Sequence, residues 1–152
     1  MGCTIRKYRK KDLNEVMAAW ESASRLAHPF LSKEFLDQER YNIPNRYLPK
    51  ADTWVAELQG SVIGFIALLG NEVGGLFVTP KFHGMGAGRA LLDKAQELHG
   101  DLEVEVFEAN VLGRHFYARY GFELLSETIH EETANKVLRL KFTPKKSLPP
   151  TG

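Results

Sequence analysis

A single cysteine, Cys3, stands in this chain of 152 residues. It rules out an internal disulfide and any cysteine-rich metal framework. The five histidines supply no substitute, because no two of them stand at the i, i+4 spacing that places a pair of ligands on one helix face. Long apolar runs are missing too. The longest uncharged one, Val62 to Gly70, is far short of the roughly 20 residues needed to span a bilayer. The opening stretch MGCTIRKYRKKD has no apolar segment of the signal-peptide kind. Gly2 invites a myristoylation reading, but Arg6 stands where that motif needs Ser or Thr. A surplus of either charge is also absent: 20 Lys plus Arg face 19 Asp plus Glu. A nucleic-acid binder draws most of its affinity from basic residues that neutralise phosphates, and no basic stripe is visible. The expectation is a reduced, cytoplasmic, soluble domain with neither nucleic acid nor membrane as partner.

What is present suits one ordinary core. Hydrophobic residues make up 43% and charged residues 26%, and a chain this long buries about 70% of its unfolded surface on folding. A single domain over residues 1–143 is expected, with a disordered Pro- and Lys-rich tail at 144–152. Thr4 to Tyr8 reads as a short strand. Leu13, Val16, Met17, Trp20 and Ala23 recur at helical spacing, which predicts a helix over 12–26 that Pro29 ends. Ser32 is a good N-cap for a second helix carrying Phe35 and Leu36 to about Glu39. Residues 41–52 read as a loop. Strands follow at 53–58, 62–69 and 73–78, separated by Gln59-Gly60-Ser61 and Gly70-Asn71. Next come a helix with Leu91, Leu92, Ala95 and Leu98 on one face and Gly100 as its C-cap, and a strand through Leu102, Val104 and Val106. A short helix over 112–120 and strands at 122–128 and 136–142 complete the order. This is an α/β arrangement: a mixed, mostly antiparallel seven-stranded sheet with helices on both faces.

The densest information lies in Leu76 to Leu92, which reads as a strand, a loop with Gly84, Gly86 and Gly88 at alternate positions, and a helix start. Unpaired N–H groups at a helix N-terminus, beside the positive end of the dipole, make an anion site once glycines let a ligand come close. The dinucleotide fingerprint is excluded, since Arg89 stands where its last glycine belongs, and no P-loop is present. On its own, such a loop is equally a tight turn that packs helix against strand.

A second constellation runs from Asn110 to Phe122, directly after the fifth strand. Together with the glycine loop it resembles the GNAT superfamily of acyl-CoA-dependent N-acetyltransferases. His83, Gly86 and Gly88 occupy the family's Arg/Gln-x-x-Gly-x-Gly/Ala pattern, and Asn110, Phe116, Tyr117, Gly121 and Phe122 match its Asn-x-x-Ala-x-x-Phe-Tyr-x-x-x-Gly-Phe pattern. Two positions depart from it: His83 replaces Arg or Gln, and Gly113 replaces Ala, which is expected to loosen the short helix. Trp20 and the run Ala27-His28-Pro29-Phe30-Leu31-Ser32 further resemble a YjaB-type bacterial subgroup, in which the two-helix region builds the acceptor side.

The resemblance implies the acyl-CoA N-acyltransferase fold and direct acetyl transfer from acetyl-CoA to a primary amine of a small molecule or a protein, with no metal. Such a transfer needs a neutral amine, a stabilised oxyanion and a protonated leaving thiolate. Leu76, Phe77 and Val78 match the splayed strand that holds the pantetheine arm. His83, Gly84, Met85, Gly86, Ala87, Gly88 and Arg89 match the pyrophosphate loop, with Lys81 or Arg89 as an added charge. Asn110 would hydrogen-bond the pantetheine or cap the helix after it. Tyr117 matches the general acid, or is a core aromatic beside Phe116. No ionisable group lies within 73–78, so the base is open between Glu72, Glu108 and a water chain. Trp20, His28 and Phe30 are the acceptor-side candidates, with Tyr41 and Tyr47 as further aromatics. His28 could instead cap the preceding carbonyls. His115 is expected to be exposed, and Cys3 to be structural. Two other readings remain, a non-catalytic acyl-CoA sensor and a tRNA-acetylating toxin, the latter disfavoured by the even charge balance. The resemblance is compatible with a monomer or a homodimer.

Overall fold

Turn glycines and alternating apolar residues lay the chain into a single sheet. The structure is a computed structural model that describes residues 2–144, so the tail expected to be disordered lies, from residue 145 on, outside the described residues. The elements are β1 (Thr4–Lys7), α1 (Leu13–Ala27), α2 (Lys33–Asn42), β2 (Asp52–Leu58), β3 (Ser61–Leu69), β4 (Glu72–Val78), α3 (Ala87–His99), β5 (Leu102–Phe107), α4 (Val111–Tyr120), β6 (Glu123–Ile129) and β7 (Lys136–Phe142). The sheet has seven strands in the order β1-β2-β3-β4-β5-β7-β6. Every neighbouring pair is antiparallel except β4 with β5, which run parallel.

Two apolar clusters sandwich the sheet. On one face Leu91, Leu92 and Ala95 of α3 and Tyr117 of α4 pack on Ile66, Leu68, Val104 and Leu140. On the other, Val16, Ala19 and Trp20 of α1 pack on Val55, Phe65 and Ala67. Each fully buried Leu or Val is worth about 1.5–3 kcal/mol relative to exposure, so these stripes decide which face each helix takes. Cys3 packs partly buried against the first cluster.

Asp12 does more than open α1. Its carboxylate takes two bonds from the Arg6 guanidinium, at 2.8 and 2.9 Å, and one from the Arg9 N–H at 2.8 Å. Arg6 also reaches Glu57 at 3.1 Å. The pair therefore straps β1 and β2 to the start of α1.

The segment expected to be a loop is ordered differently. After α2 a π-helical turn, Ile43–Tyr47, closes with the Leu48 N–H donating to the Ile43 carbonyl at 2.9 Å. Ile43 and Leu48 are both buried in the second cluster, and that burial holds the turn. Pro44, which has no N–H to donate, stands at the junction where the α-helical bonding of α2 gives way to the wider bond of the turn. The expected caps are present: Ser32 Oγ accepts the Phe35 N–H at 3.1 Å, and Gly100 ends α3 with φ 76°.

Candidate active site

The site begins where two parallel strands part. β4 and β5 share only two register pairs, Glu72 with Glu103 and Val73 with Val104. Beyond them, among the described residues, β4 pairs only with β3, and β5 only with β7. A bulge marks the parting: Ala67 faces Gly75 and Leu68 faces Val73, leaving Gly74 as the extra residue. Among the described residues, 74–78 therefore keep a partly exposed backbone edge with no strand partner on the β5 side, where its N–H and C=O groups are open to a ligand.

Arg139 of β7 fastens the root of the split. Its guanidinium donates to Glu103 at 2.7 Å, Glu105 at 2.9 Å and Glu72 at 3.1 Å, tying β4 to β5 at the point of divergence. The opening is a cavity of about 360 Å³ lined by β4, β5, the C-terminal part of α1, α2, Asn110 and Tyr117 of the α4 region, and the β6–β7 connection.

On the α4 side Asn110 caps the helix, its Oδ1 accepting the Gly113 N–H at 2.9 Å. Asn110 Nδ2 lies 3.4 Å from His28 Nε2, and Ser24 Oγ lies 3.1 Å from His28 Nδ1. This assigns the δ tautomer, with Nδ1–H donating to Ser24 and Nε2 accepting. Burial lowers the His28 pKa to about 4, so the ring is neutral at physiological pH. The helix end is capped by the His28 backbone N–H on the Ser24 carbonyl at 2.7 Å, while the ring turns to the cleft among Phe30, Phe77 and Phe107. Tyr117 lines the same cleft and is 7% exposed. Burial alone raises its pKa, so its hydroxyl keeps its proton.

The glycine loop serves two ends. Gly84 and Gly86 have φ of 82° and 88°, a region that costs L-residues with a side chain about 1–2 kcal/mol, and a Cβ on either would meet nothing within 4 Å. The ground above them is open. The N–H groups of Ala87, Gly88 and Arg89, in the first turn, have no acceptor within the helix, and among the described residues no side chain caps it. Gly88 is there for packing, since a Cβ would come within 3.0 Å of the Phe116 ring. His83 closes the loop with its side chain, Nε2 lying 2.8 Å from the Val78 carbonyl oxygen.

The model of the GNAT acetyltransferase domain matches residues 49–124. The peptidyl-lysine N-acetyltransferase YjaB of Escherichia coli is 32% identical over 125 residues, covering 82% of this chain and 84% of its own. The chain belongs to the GNAT acetyltransferase family. A second E. coli enzyme, the peptidyl-lysine N-acetyltransferase YiaC, is 28% identical over 130 residues, covering 85% of this chain and 89% of its own. The solution structure of apo YjaB superposes with a TM-score of 0.83 at 28% identity, over 93% of this chain and 98% of that one. The PaiA N-acetyltransferase of Thermoplasma acidophilum, solved with coenzyme A, shares the fold with a TM-score of 0.75 at 19% identity, over 95% of this chain and all of that one. This GNAT protein is an acetyl-CoA-dependent N-acetyltransferase. Among its described residues no helix is long and apolar enough to cross a membrane.

The sequence-predicted residues of this acetyltransferase fall into place unevenly. Leu76, Phe77, Asn110, Tyr117, Trp20 and His28 line the cleft. Val78 and the 83–89 loop are not part of its lining, and Arg89 and Lys81 are exposed. Phe30 touches the cleft only through the His28 and Phe107 rings. Tyr47 joins the lining, but Tyr41 is 62% exposed and lies outside it. Neither carboxylate named for the base is free in the cleft. Glu72 is held by Arg139, and Glu108 pairs with Lys136 at 3.5 Å. His115 is exposed.

Sequence reasoning missed Glu39, Glu105, His130 and Glu132, the other ionisable groups of the cleft among the described residues. One signal was available. Glu39 continues the stripe Phe35, Leu36, Ile43 of the α2 segment, and a carboxylate on an apolar stripe asks for a partner.

Proposed function

We propose that the protein acetylates the ε-amino group of lysine in peptides or proteins, by direct transfer from acetyl-CoA bound in the β4–β5 split. The observation that carries this reading is the parting of β4 from β5 after Val73 and Val104, which leaves a backbone edge facing Tyr117 and Asn110. The lysine acceptor is supported by the peptidyl-lysine activity in the names of YjaB and YiaC.

The residues present fit coenzyme A. The free N–H groups of Ala87, Gly88 and Arg89, under open space at Gly84 and Gly86, suit its pyrophosphate. The backbone of Gly74 to Val78 suits the amides of the pantetheine arm, as a strand would. Bound there, acetyl-CoA supplies the activated acyl group. The Tyr117 hydroxyl, kept protonated by burial, holds a proton for the departing sulfur. Asn110 and His28 fix each other and so the wall of the cleft. Trp20 and Phe77 exclude water beside the reacting atoms.

Release of free coenzyme A thiol from acetyl-CoA in the presence of a lysine-containing peptide tests the reading. Mass spectrometry should show one acetyl group on the ε-nitrogen. Coenzyme A-dependent thermal stabilisation with no transfer to any amine would favour a sensor instead.

A further inference from the structure

The cleft is not the only cavity against β4. A second one, of about 290 Å³, lies on the α2 side, with Ile43, Leu48 and Phe65 in its lining beside two carboxylates, Glu39 and the Arg139-bound Glu72. The two share Trp20, Glu39, Tyr47, Gly74, Gly75 and Phe77, so they meet across the bulged part of β4. Glu39 is the one carboxylate common to both linings among the described residues. The π-helical turn secures it: that turn brings Tyr47 back over α2, and the Tyr47 hydroxyl donates to Glu39 Oε1 at 3.2 Å. Asn42 Nδ2 stands 3.5 Å from the same hydroxyl. A carboxylate fixed in this way, beside an indole and a phenyl ring, is built to meet a cation with an apolar stem.

We infer that Glu39 receives the ammonium group of the acceptor, a primary alkylammonium whose unbranched stem lies against the Trp20 and Phe77 wall, and takes its proton. This rests on the acetyltransferase reading above. In the step, one N–H bond of the ammonium breaks and one O–H bond forms on Glu39. The electron pair stays on nitrogen, which becomes the nucleophile; no further reactant is needed. Four neighbours face the carboxylate: Tyr47 from the π-helical turn, Asn42 from α2, and His130 and Glu132 from the β6–β7 connection. Burial raises the carboxyl pKa and Glu132 adds to the rise, while the Tyr47 hydrogen bond, Asn42 and His130 oppose it. A raised carboxyl is a better proton acceptor than a solvated one.

Glu39→Gln keeps the shape and removes the charge. With Nα-acetyl-lysine methylamide as acceptor, E39Q should raise the acceptor KM at least tenfold and displace the acid limb of kcat/KM. It should leave the acetyl-CoA KM and the coenzyme A-induced thermal shift within twofold of wild type, which also shows that the variant folds. Tyr47→Phe should move the acceptor KM in the same direction by less. An active E39Q enzyme with unchanged acceptor KM and pH profile overturns the assignment. Titration of the same lysine amide into coenzyme A-loaded protein, followed by NMR, needs no turnover. Binding by wild type that is lost in E39Q, without turnover in either, keeps Glu39 and sinks lysine acetylation. Equal binding to both, or binding to neither, sinks the Glu39 assignment.

Discussion

The Asn110 side chain lies folded over Gly113: its Oδ1 accepts the Gly113 N–H at 2.9 Å, and a Cβ on Gly113 would meet Asn110 Cγ at 2.9 Å. Glycine at this position is what lets the cap close, so the departure from the family's alanine tightens the start of α4 where loosening was expected. The same closure leaves Asn110 Nδ2 beside His28, joining α4 to the end of α1 across the cleft.

Gly113→Ala should therefore destabilise. Helix propensity alone would favour Ala by about 1 kcal/mol, but displacing the cap costs about 0.5–2 kcal/mol, and the cleft wall shifts with it. Thermal unfolding should show a lower Tm for G113A. Asn110→Ala combined with G113A should lose less than the sum of the singles, because the clash goes with the side chain. A Tm at or above wild type for G113A would contradict the geometry.

Tyr117→Phe keeps the ring that packs on Phe116 and Phe122 and removes only the hydroxyl. A positioned general acid contributes about 10²–10⁴-fold, so kcat should fall by at least about 100-fold. Coenzyme A affinity and Tm should stay close to wild type. Thiol release with a saturating lysine peptide measures the first, and calorimetry the others.

Two glycines of one loop should respond differently. Gly86→Ala has space but sits at φ 88°, so it loses about 1–2 kcal/mol and shifts the free N–H groups of α3. The dissociation constant for coenzyme A should rise about tenfold. Gly88→Ala meets Phe116 at 3.0 Å, so its first effect should be a lower Tm through the contact between α3 and α4.

Acid should weaken the fold in two stages. His28 has a folded pKa of about 4 against 6.5 for the free group, so the unfolded chain binds the extra proton, and stability falls as pH drops from about 6.5 to 4. Asp12 has a lowered pKa, chiefly through its hydrogen bonds from Arg6. Its contribution is complete above the ordinary carboxylate pKa and is lost as pH falls through the depressed folded value. His28→Gln should flatten the first stage in urea titrations at stepped pH. Asp12→Asn should lower stability at pH 7 by about 1.5–3 kcal/mol, the scale of hydrogen bonds to a charged group, since Arg6 stays part-exposed and keeps Glu57 as a partner, and should erase the second stage.

The sequence alone determined what local chemistry decides. Alternating apolar residues and turn glycines set the seven strands, Ser32 and Asn110 announced the helix starts, and the spacing of Gly86, Tyr117 and Phe122 carried the family. These signals act over a few residues, so they survive without a third dimension. The tertiary structure decided what depends on residues far apart in the chain. It parted β4 from β5 after two pairs, placed Arg139 across the split so that Glu72 is held in an ion pair, and turned the 43–47 segment into a π-helical turn through the burial of Ile43 and Leu48. That turn brought the Tyr47 hydroxyl onto the Glu39 carboxylate, although the position of Glu39 on the α2 stripe had hinted at its place in the cleft. Burial, too, is a property of the assembled sheet: it keeps Tyr117 protonated and His28 neutral, and no spacing in the chain encodes it.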